Sequence, residues 1–363
     1  MTLRPLYGHH ALRQRLSAAS REGRLPASLL FQGSRGTGKQ RLALWLGQYL
    51  LCERAVAEGL DAPCGECQHC RYGERLTHPD LHWFFPRPRL RDSDASADEV
   101  RADLAEAKAE RMAADGLWST PSGSDALYVA TIRALVQTAS LRPAMARRAV
   151  FVVGDAERMV SQEGADQAAN AFLKLLEEPP ASTTIILTTA EPGSLLPTIR
   201  SRVVSLRVPP LKQQDMKAFL ADSAVARRFA GTSESDLLAR AHGAPGMLMG
   251  DDQIDAAMKQ ARELLNAALA VDSPDGFALR VRTAARQGSA GARGAFRNML
   301  EAMVLILNDR THELVLDGKL VAARNTAAAI PLVESSIQRA RGNASPQLLT
   351  ASLLTELHRT LRS

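Results

Sequence analysis

A parallel α/β nucleotide-binding-like domain with helical domains after it is the fold class this sequence predicts, and three observations predict it. A compact apolar run, Ser28-Leu29-Leu30-Phe31-Gln32, breaks into a glycine-rich loop and then into a helical pattern over 42–51, the order strand, loop, helix. Two further apolar runs, Ala149–Val153 and Thr183–Thr189, alternate with helical stretches, as the buried strands of a parallel sheet do. Beyond Pro209-Pro210 the strand signals fade, and Ala/Leu/Arg-rich helical patterns run to the end.

Composition bounds the rest. A chain of 363 residues is long enough for two or three domains with sizeable cores. Hydrophobic residues at 45% and charged residues at 23% are ordinary for a globular protein and exclude disorder as the main state. The net charge is +6, and only seven of the 45 basic residues are lysine. That surplus permits contact with nucleic acid without establishing it, because no run of five basic residues forms a basic arm. Apolar stretches stay short of eighteen residues, and Arg4, His9, His10, Arg13 and Arg15 interrupt the opening. Neither a membrane span nor a signal peptide is therefore expected. The expected location is cytoplasmic, where four cysteines read as thiols or metal ligands rather than disulfides.

In chain order, a short amphipathic opening leads to the first strand, the glycine loop and its helix. The cysteines follow, and then a polar segment, 86–125, rich in Pro, Asp, Ser, Ala and Arg. Its middle, 97–114, predicts an exposed helix between flexible ends. A helix around 132–138 precedes the strand that ends at Gly154-Asp155, and Pro179-Pro180 stops the helix before the third strand run. The expected domains are an α/β module at 1–208, carrying a cysteine module (52–70) and the polar insertion (86–125), then small helical domains at 209–250 and 251–363. Breaks near 243–250 and 272–276 separate the helical patterns.

Three motifs carry chemistry. Gly33-Ser-Arg-Gly36-Thr-Gly38-Lys39 fits a phosphate-binding loop, in which backbone N–H groups wrap phosphate oxygens and the lysine reaches the outer phosphates. Gln40 stands where the motif has Ser or Thr, and its amide is a poor substitute for the hydroxyl that holds Mg²⁺. Cys64-x-x-Cys67-x-x-Cys70 and Cys52 use every cysteine in the chain and fit a closed, structural Zn²⁺ site. An iron-sulfur cluster, or unrelated thiols with His69 or His78 as an occasional ligand, are the competing readings. Asp155 ends a strand, the place of a carboxylate that holds Mg²⁺ through water, or equally of a helix N-cap. Hydrolysis also needs a neighbouring acid; that position is Ala156, with Glu157 one residue too far along.

Arg24-Leu25-Pro26-Ala27-Ser28, the cysteines, Thr77-His78-Pro79-Asp80, the run Asn170-Ala171-Phe172-Leu173-Lys174-Leu175-Leu176-Glu177-Glu178-Pro179-Pro180, and Thr198-Ile199-Arg200-Ser201-Arg202 together resemble the AAA+ clamp-loader family of bacterial DNA polymerase III, in its delta-prime branch. The resemblance covers about 3–250; the last hundred residues fit only as a helical region of the right size. It implies an AAA+ P-loop module with a zinc module, a helical lid at 209–250 and a collar at 251–363 that oligomerises. The nucleotide site (Gly33, Gly36, Gly38, Lys39, Gln40, Asp155, Thr189) is implied to be degenerate, with ATP and Mg²⁺ bound weakly or not at all. Gly243-Ala-Pro245-Gly246 lacks the arginine that active relatives place there to sense the γ-phosphate. Ser201-Arg202 keeps the pair that serves a neighbouring subunit's ATP as an arginine finger, although Val203 replaces the usual cysteine and Ala190 follows Thr189. The implied partners are gamma/tau-type and delta-type subunits, and through them a sliding clamp and primed DNA. The rival expectations are a self-sufficient ATPase and a zinc-bearing nucleic-acid binder; an aromatic content of 4% leaves the latter without a stacking platform.

Overall fold

In a computed structural model of the chain, residues 2–90, 95–114, 125–159, 166–249, 252–286, 293–340 and 345–362 are described. Contacts divide the chain into two compact units, Met1–Met249 and Gly250–Ser363. The first contains α1 (His10–Arg21), β1 (Ser28–Gln32), α2 (Lys39–Leu51), α3 (Glu53–Ala57), α4 (Gln68–Glu74), β2 (Leu81–Phe84), α5 (Ala97–Ala113), α6 (Val129–Ala139), β3 (Ala149–Val153), α7 (Asp166–Glu177), β4 (Thr183–Thr189), α8 (Pro197–Arg200) and β5 (Val204–Arg207), followed by α9 (Gln213–Leu220), α10 (Ser223–Arg228) and α11 (Glu234–Ala241).

The strands form one parallel sheet in the order β2-β3-β4-β1-β5. Its three central strands are the apolar runs of the sequence, buried on both faces, which is why they read as continuous rather than alternating. The sequence reading lacked β2 and β5. β2 is four residues with a histidine among them, and β5, Val-Ser-Leu-Arg, is largely exposed; neither makes an uninterrupted apolar run. Register pairs Gln32 with Thr189 and Val153 with Leu187. The carboxyl ends of β1, β3 and β4 therefore meet, carrying the glycine loop, Asp155 and Thr189 to one edge, where open α/β sheets bind ligands. This is a parallel α/β module with a glycine loop at the carboxyl edge of its sheet.

The segment 97–114 departs from expectation. A capping box between Ser96 and Glu99 starts α5, but only one face of the helix is exposed: Val100, Leu104, Ala107 and Met112 are buried, and α5 packs on α6. The spacing 100, 104, 107 is a helical stripe, hidden in the sequence among alanines and charges. The expected flexible ends fall largely on 91–94 and 115–124, outside the described residues.

Helices α9 to α11 enclose a small separate core of Met216, Phe219, Val225, Leu237 and Leu248. The second unit holds α12 (Asp252–Leu269), α13 (Pro274–Ala285), α14 (Arg293–Leu316), α15 (Leu320–Ala340) and α16 (Pro346–Arg362) around Leu264, Met299, Leu300, Met303, Val333, Leu353 and Leu357. Among the described residues no helix is long and apolar enough to cross a membrane.

Candidate functional site

The glycine loop leaves β1 and enters α2 at Lys39, with Gly36 and Gly38 at φ of 77° and 87°, a region a Cβ disfavours. It thus lies at a helix N-terminus, where N–H groups and the helix dipole favour an anion. Lys39 is buried and folded onto its own loop, Nζ donating to the carbonyls of Gly33 (2.9 Å) and Ser34 (2.8 Å). Burial lowers its pKa, and the carboxylates of Asp155 and Glu157 oppose that shift. Two segments close over the loop. The Gly246 N–H donates to the Gly36 carbonyl at 2.9 Å, and the ring of His9 donates from Nε2 to the Thr37 carbonyl at 2.8 Å. A Cβ at Gly246 would stand 2.7 Å from the Gly36 Cα, so this residue is held against the loop with no room for a side chain. Tyr7, Arg41, Phe219 and Met247 join these groups around one pocket.

Mg²⁺ in such a site sits between the residue after the lysine and a carboxylate at the carboxyl end of another strand. Here Gln40 Oε1 accepts from the Trp83 indole Nε1 at 3.0 Å, and a Cβ on Gly154 would be 2.3 Å from that same oxygen. The amide is wedged against the backbone just before Asp155. Mg²⁺ demands near-ideal octahedral geometry and usually keeps several waters, so the residues present do not fit the metal.

Asp155 has a left-handed backbone (φ 47°, ψ 56°) and makes no side-chain cap hydrogen bond, which sets the N-cap reading aside; its N–H donates to Thr188 Oγ1 at 3.1 Å. Ala156 is buried. Glu157 is turned inward: Oε1 accepts from the Ala190 N–H at 3.0 Å, and burial followed by the Asp155 charge pushes its carboxyl up. Thr189 Oγ1 accepts from the Glu191 N–H at 3.0 Å.

The four cysteines converge. Their Sγ atoms lie within 4.8 Å of one another, with Cys64–Cys70 at 3.8 Å and Cys52–Cys67 at 3.9 Å. Four thiolates about 2.3 Å from a tetrahedral Zn²⁺ would stand about 3.8 Å apart, so the donor set and its spacing fit a closed metal site. The N–H groups of Cys64, Cys67 and Cys70 point at the sulfurs of Cys52, Cys64 and Cys67. Burial pushes the Cys70 thiol up; at Cys64 burial acts in the same direction, but the N–H groups of Cys67 and Glu66 hold the thiol at about 7. The histidines are not ligands. His78 Nδ1 accepts from the Asp80 N–H (2.9 Å), His78 Nε2 meets His69 Nδ1 (2.7 Å), and His69 Nε2 meets Glu53 Oε1 (3.1 Å), so both ring nitrogens of each imidazole are engaged.

Ser201 and Arg202 follow α8 on the surface. Arg202 Nε donates to Glu177 Oε1 at 2.7 Å and Nη1 to the Thr198 carbonyl at 2.8 Å and to Ser201 Oγ at 3.1 Å; its side chain is 31% exposed. Glu177 belongs to the Asn170–Pro180 run, whose Phe172, Leu175 and Leu176 are buried and leave Glu177 outward to hold the guanidinium. Among the described residues Arg202 does not line the loop pocket. Sequence reasoning assigned no role to His9, Trp83, Asp80 or Glu177, although it singled out the runs that hold Asp80 and Glu177, because the contacts that give them roles join positions far apart or elements too short to read.

A family model described as "DNA polymerase III, delta subunit" matches residues 8–212. The chain is 30% identical over 266 residues to DNA polymerase III subunit delta' of Escherichia coli K12, covering 72% of this chain and 65% of that one. It is 30% identical to the Bacillus subtilis 168 subunit delta' over 57% of this chain and 49% of that one, and 32% identical to subunit gamma/tau of Mycobacterium tuberculosis H37Rv over 57% and 28%. It thus spans from about half to just under two thirds of the two delta' relatives it matches. A gamma-subunit-related protein of Thermotoga maritima superposes with a TM-score of 0.42 at 18% identity, over 98% of this chain and 100% of that one. With a family model matched across more than half its length, the chain belongs to the DNA polymerase III delta/delta-prime family.

Proposed function

We propose that the chain is a non-catalytic clamp-loader subunit of the DNA polymerase III holoenzyme: a stator that holds its neighbours and gives Arg202 to an adjacent subunit's ATP. The observation that carries the reading is the contrast between two sites. The chain's own loop keeps Lys39 but has Gln40 wedged into the metal position, Ala156 in place of the acid and Gly246 pressed on Gly36. The Ser201-Arg202 pair is intact, outward and braced by Glu177. A guanidinium placed there stabilises charge on a phosphoryl group in transfer. Exposed apolar residues at the turn between α14 and α15, Leu316, Leu320 and Val321, support packing of the collar helices against other subunits. Zn²⁺ held by Cys52, Cys64, Cys67 and Cys70 would fasten the cysteine loop to the domain as a structural element.

The partners on this reading are gamma/tau-type and delta-type subunits in the cytoplasm, acting on a sliding clamp and primed DNA. The test is the isolated chain mixed with those subunits: it enters a stable complex on gel filtration and has no ATP turnover alone. Sustained Mg²⁺-dependent turnover by the isolated chain would favour a self-sufficient ATPase instead.

A further inference from the structure

Helix α7 ends on an acid, Glu177, with Glu178 after it and then Pro179-Pro180. Carboxylates are favoured at a helix N-terminus and disfavoured at the C-terminus, where the macrodipole is negative, so the position of Glu177 works against the helix that carries it. The helix itself is well anchored: Phe172, Leu175 and Leu176 are buried, and α7 packs on α6 and α8. Glu177 is exposed and thus stands on a fixed support. Its partner is Arg202. Nε and Nη2 of the guanidinium both donate to one oxygen, Glu177 Oε1, whereas Nη1 donates to two neutral acceptors of the α8 turn, the Thr198 carbonyl and the Ser201 hydroxyl. That hydroxyl donates in turn to the Thr198 carbonyl at 3.0 Å. The side edge of the guanidinium is therefore held by a charge, and its outer end by weaker partners.

We propose that Glu177 is a positioning residue for the arginine finger: it grips the Nε/Nη2 edge of Arg202 and aims the Nη1 end outward, so that a neighbouring subunit's phosphate displaces only the Thr198 and Ser201 contacts. The proposal rests on the reading of Arg202 as a finger in trans and deepens it. The fork of N–H donors is nearly filled within the chain, with Nε, Nη1 and one N–H of Nη2 engaged. A phosphoryl group that takes two parallel donors must therefore displace something. Hydrogen bonds to an ionised acceptor are roughly twice as strong as neutral ones, so the exchange takes place at Nη1, where a carbonyl and a hydroxyl give way to an anionic oxygen. The Nη2 N–H left over lies on that same end of the fork and completes a two-pronged contact. A long side chain held in one rotamer before the neighbour arrives has less entropy to lose when the transition state forms. The gain is in aim rather than in stability, since exposed ion pairs contribute little to folding.

ATP turnover is measured on the complex assembled from this chain and its gamma/tau-type and delta-type partners. The part of the rate that Arg202→Ala removes is the readout, because other sites in the ring add a constant. Misplacing a reacting group by about 1 Å costs up to about 10²-fold, and a finger free to wander is in place part of the time, so Glu177→Ala is expected to keep about one-tenth of the Arg202-dependent rate. The ATP concentration at half-maximal rate is expected to stay within about twofold, since the finger acts on the transition state. Glu177→Gln is expected to keep more than about half of that rate, because glutamine retains the one Oε1 that accepts both bonds. Adding Glu177→Ala to Arg202→Ala is expected to lower the rate no further. Glu177 is exposed, so each variant is expected to assemble and to unfold as the wild type does. The proposal is overturned if Glu177→Ala turns over as fast as wild type or faster, which would make the carboxylate idle or a competitor of the phosphate. It is equally overturned if Glu177→Gln falls as far as Glu177→Ala, or if the double variant falls below Arg202→Ala alone. An Arg202→Ala complex as active as wild type defeats the finger reading and this proposal with it, whereas a slow Arg202→Ala beside an unimpaired Glu177→Ala defeats only the role of Glu177.

Discussion

Replacing Asp80 with alanine removes a staple that holds the sheet domain together. The Asp80 carboxylate is buried and accepts from three successive backbone N–H groups, Ala144 (2.6 Å), Met145 (2.8 Å) and Ala146 (2.6 Å), while its own N–H anchors His78 and so the cysteine module. Hydrogen bonds to a charged group are worth about 1.5–3 kcal/mol each, and a buried donor left without an acceptor costs about 1–3 kcal/mol. Three donors that share one acceptor do not add fully, which puts the loss for Asp80→Ala at about 3–6 kcal/mol. For a unit of this size that lowers the unfolding temperature on the order of 10 °C, read by differential scanning calorimetry. Asp80→Asn keeps an acceptor oxygen and is expected to cost about half as much. Burial pushes the Asp80 carboxyl up, but the N–H groups of Ala146, Ala144 and Met145 outweigh it and hold it below the ordinary carboxylate value. Its stabilisation is therefore present above about pH 4 and is lost as the pH falls through the lower folded value; Asp80→Asn lacks that acid-side slope. A loss under about 1 kcal/mol for Asp80→Ala would refute the staple.

Other outcomes follow from the same geometry. The purified chain is expected to hold about one Zn²⁺, and Cys67→Ser to release it and expose 58–66 to proteases before the rest unfolds; iron on elemental analysis would overturn the metal's identity. Zinc uptake should release protons and weaken as pH falls, because burial raises the Cys70 thiol and bound sulfur must be deprotonated, which is checked by titrating metal at two pH values. Gly246→Ala should cost about 1–3 kcal/mol by overpacking against the Gly36 backbone, and Gly246→Arg should fail to create a phosphate sensor for the same reason, read as unchanged ATP affinity. Leu353→Ala, within the core of the second unit, should lower stability by about 2–5 kcal/mol and leave zinc content unchanged.

What could be read from the sequence was whatever is encoded locally. The central strands are uninterrupted apolar runs, the glycine loop sits between one of them and a helix, and the cysteines are close in the chain; each is visible in a short window. Edge strands β2 and β5 are too short and too polar for that signal. The Gln40–Trp83 bond joins positions 43 residues apart and the Arg202–Glu177 pair joins positions 25 apart, so both depend on the fold having formed. Thr77-His78-Pro79-Asp80 was legible as a family signature but not as a mechanism, because the three N–H groups Asp80 serves lie more than sixty residues away. The buried stripe of α5 was masked by a composition of alanine and charge that reads as surface.

The division of labour between the two sites is tested most directly by ATP turnover of the assembled complex carrying either Arg202→Ala or Lys39→Ala in this chain. Arg202→Ala is expected to leave assembly intact and to slow hydrolysis at the one neighbouring site it serves by on the order of 10³ or more, with a smaller fall overall if other sites still turn over. Arg202→Lys is expected to rescue poorly, since an ammonium lacks the planar fork. Lys39→Ala removes contacts confined to this chain's own loop and is expected to leave turnover nearly unchanged. Loss of turnover in Lys39→Ala with full activity in Arg202→Ala would contradict the account and move the chemistry to this chain's own loop.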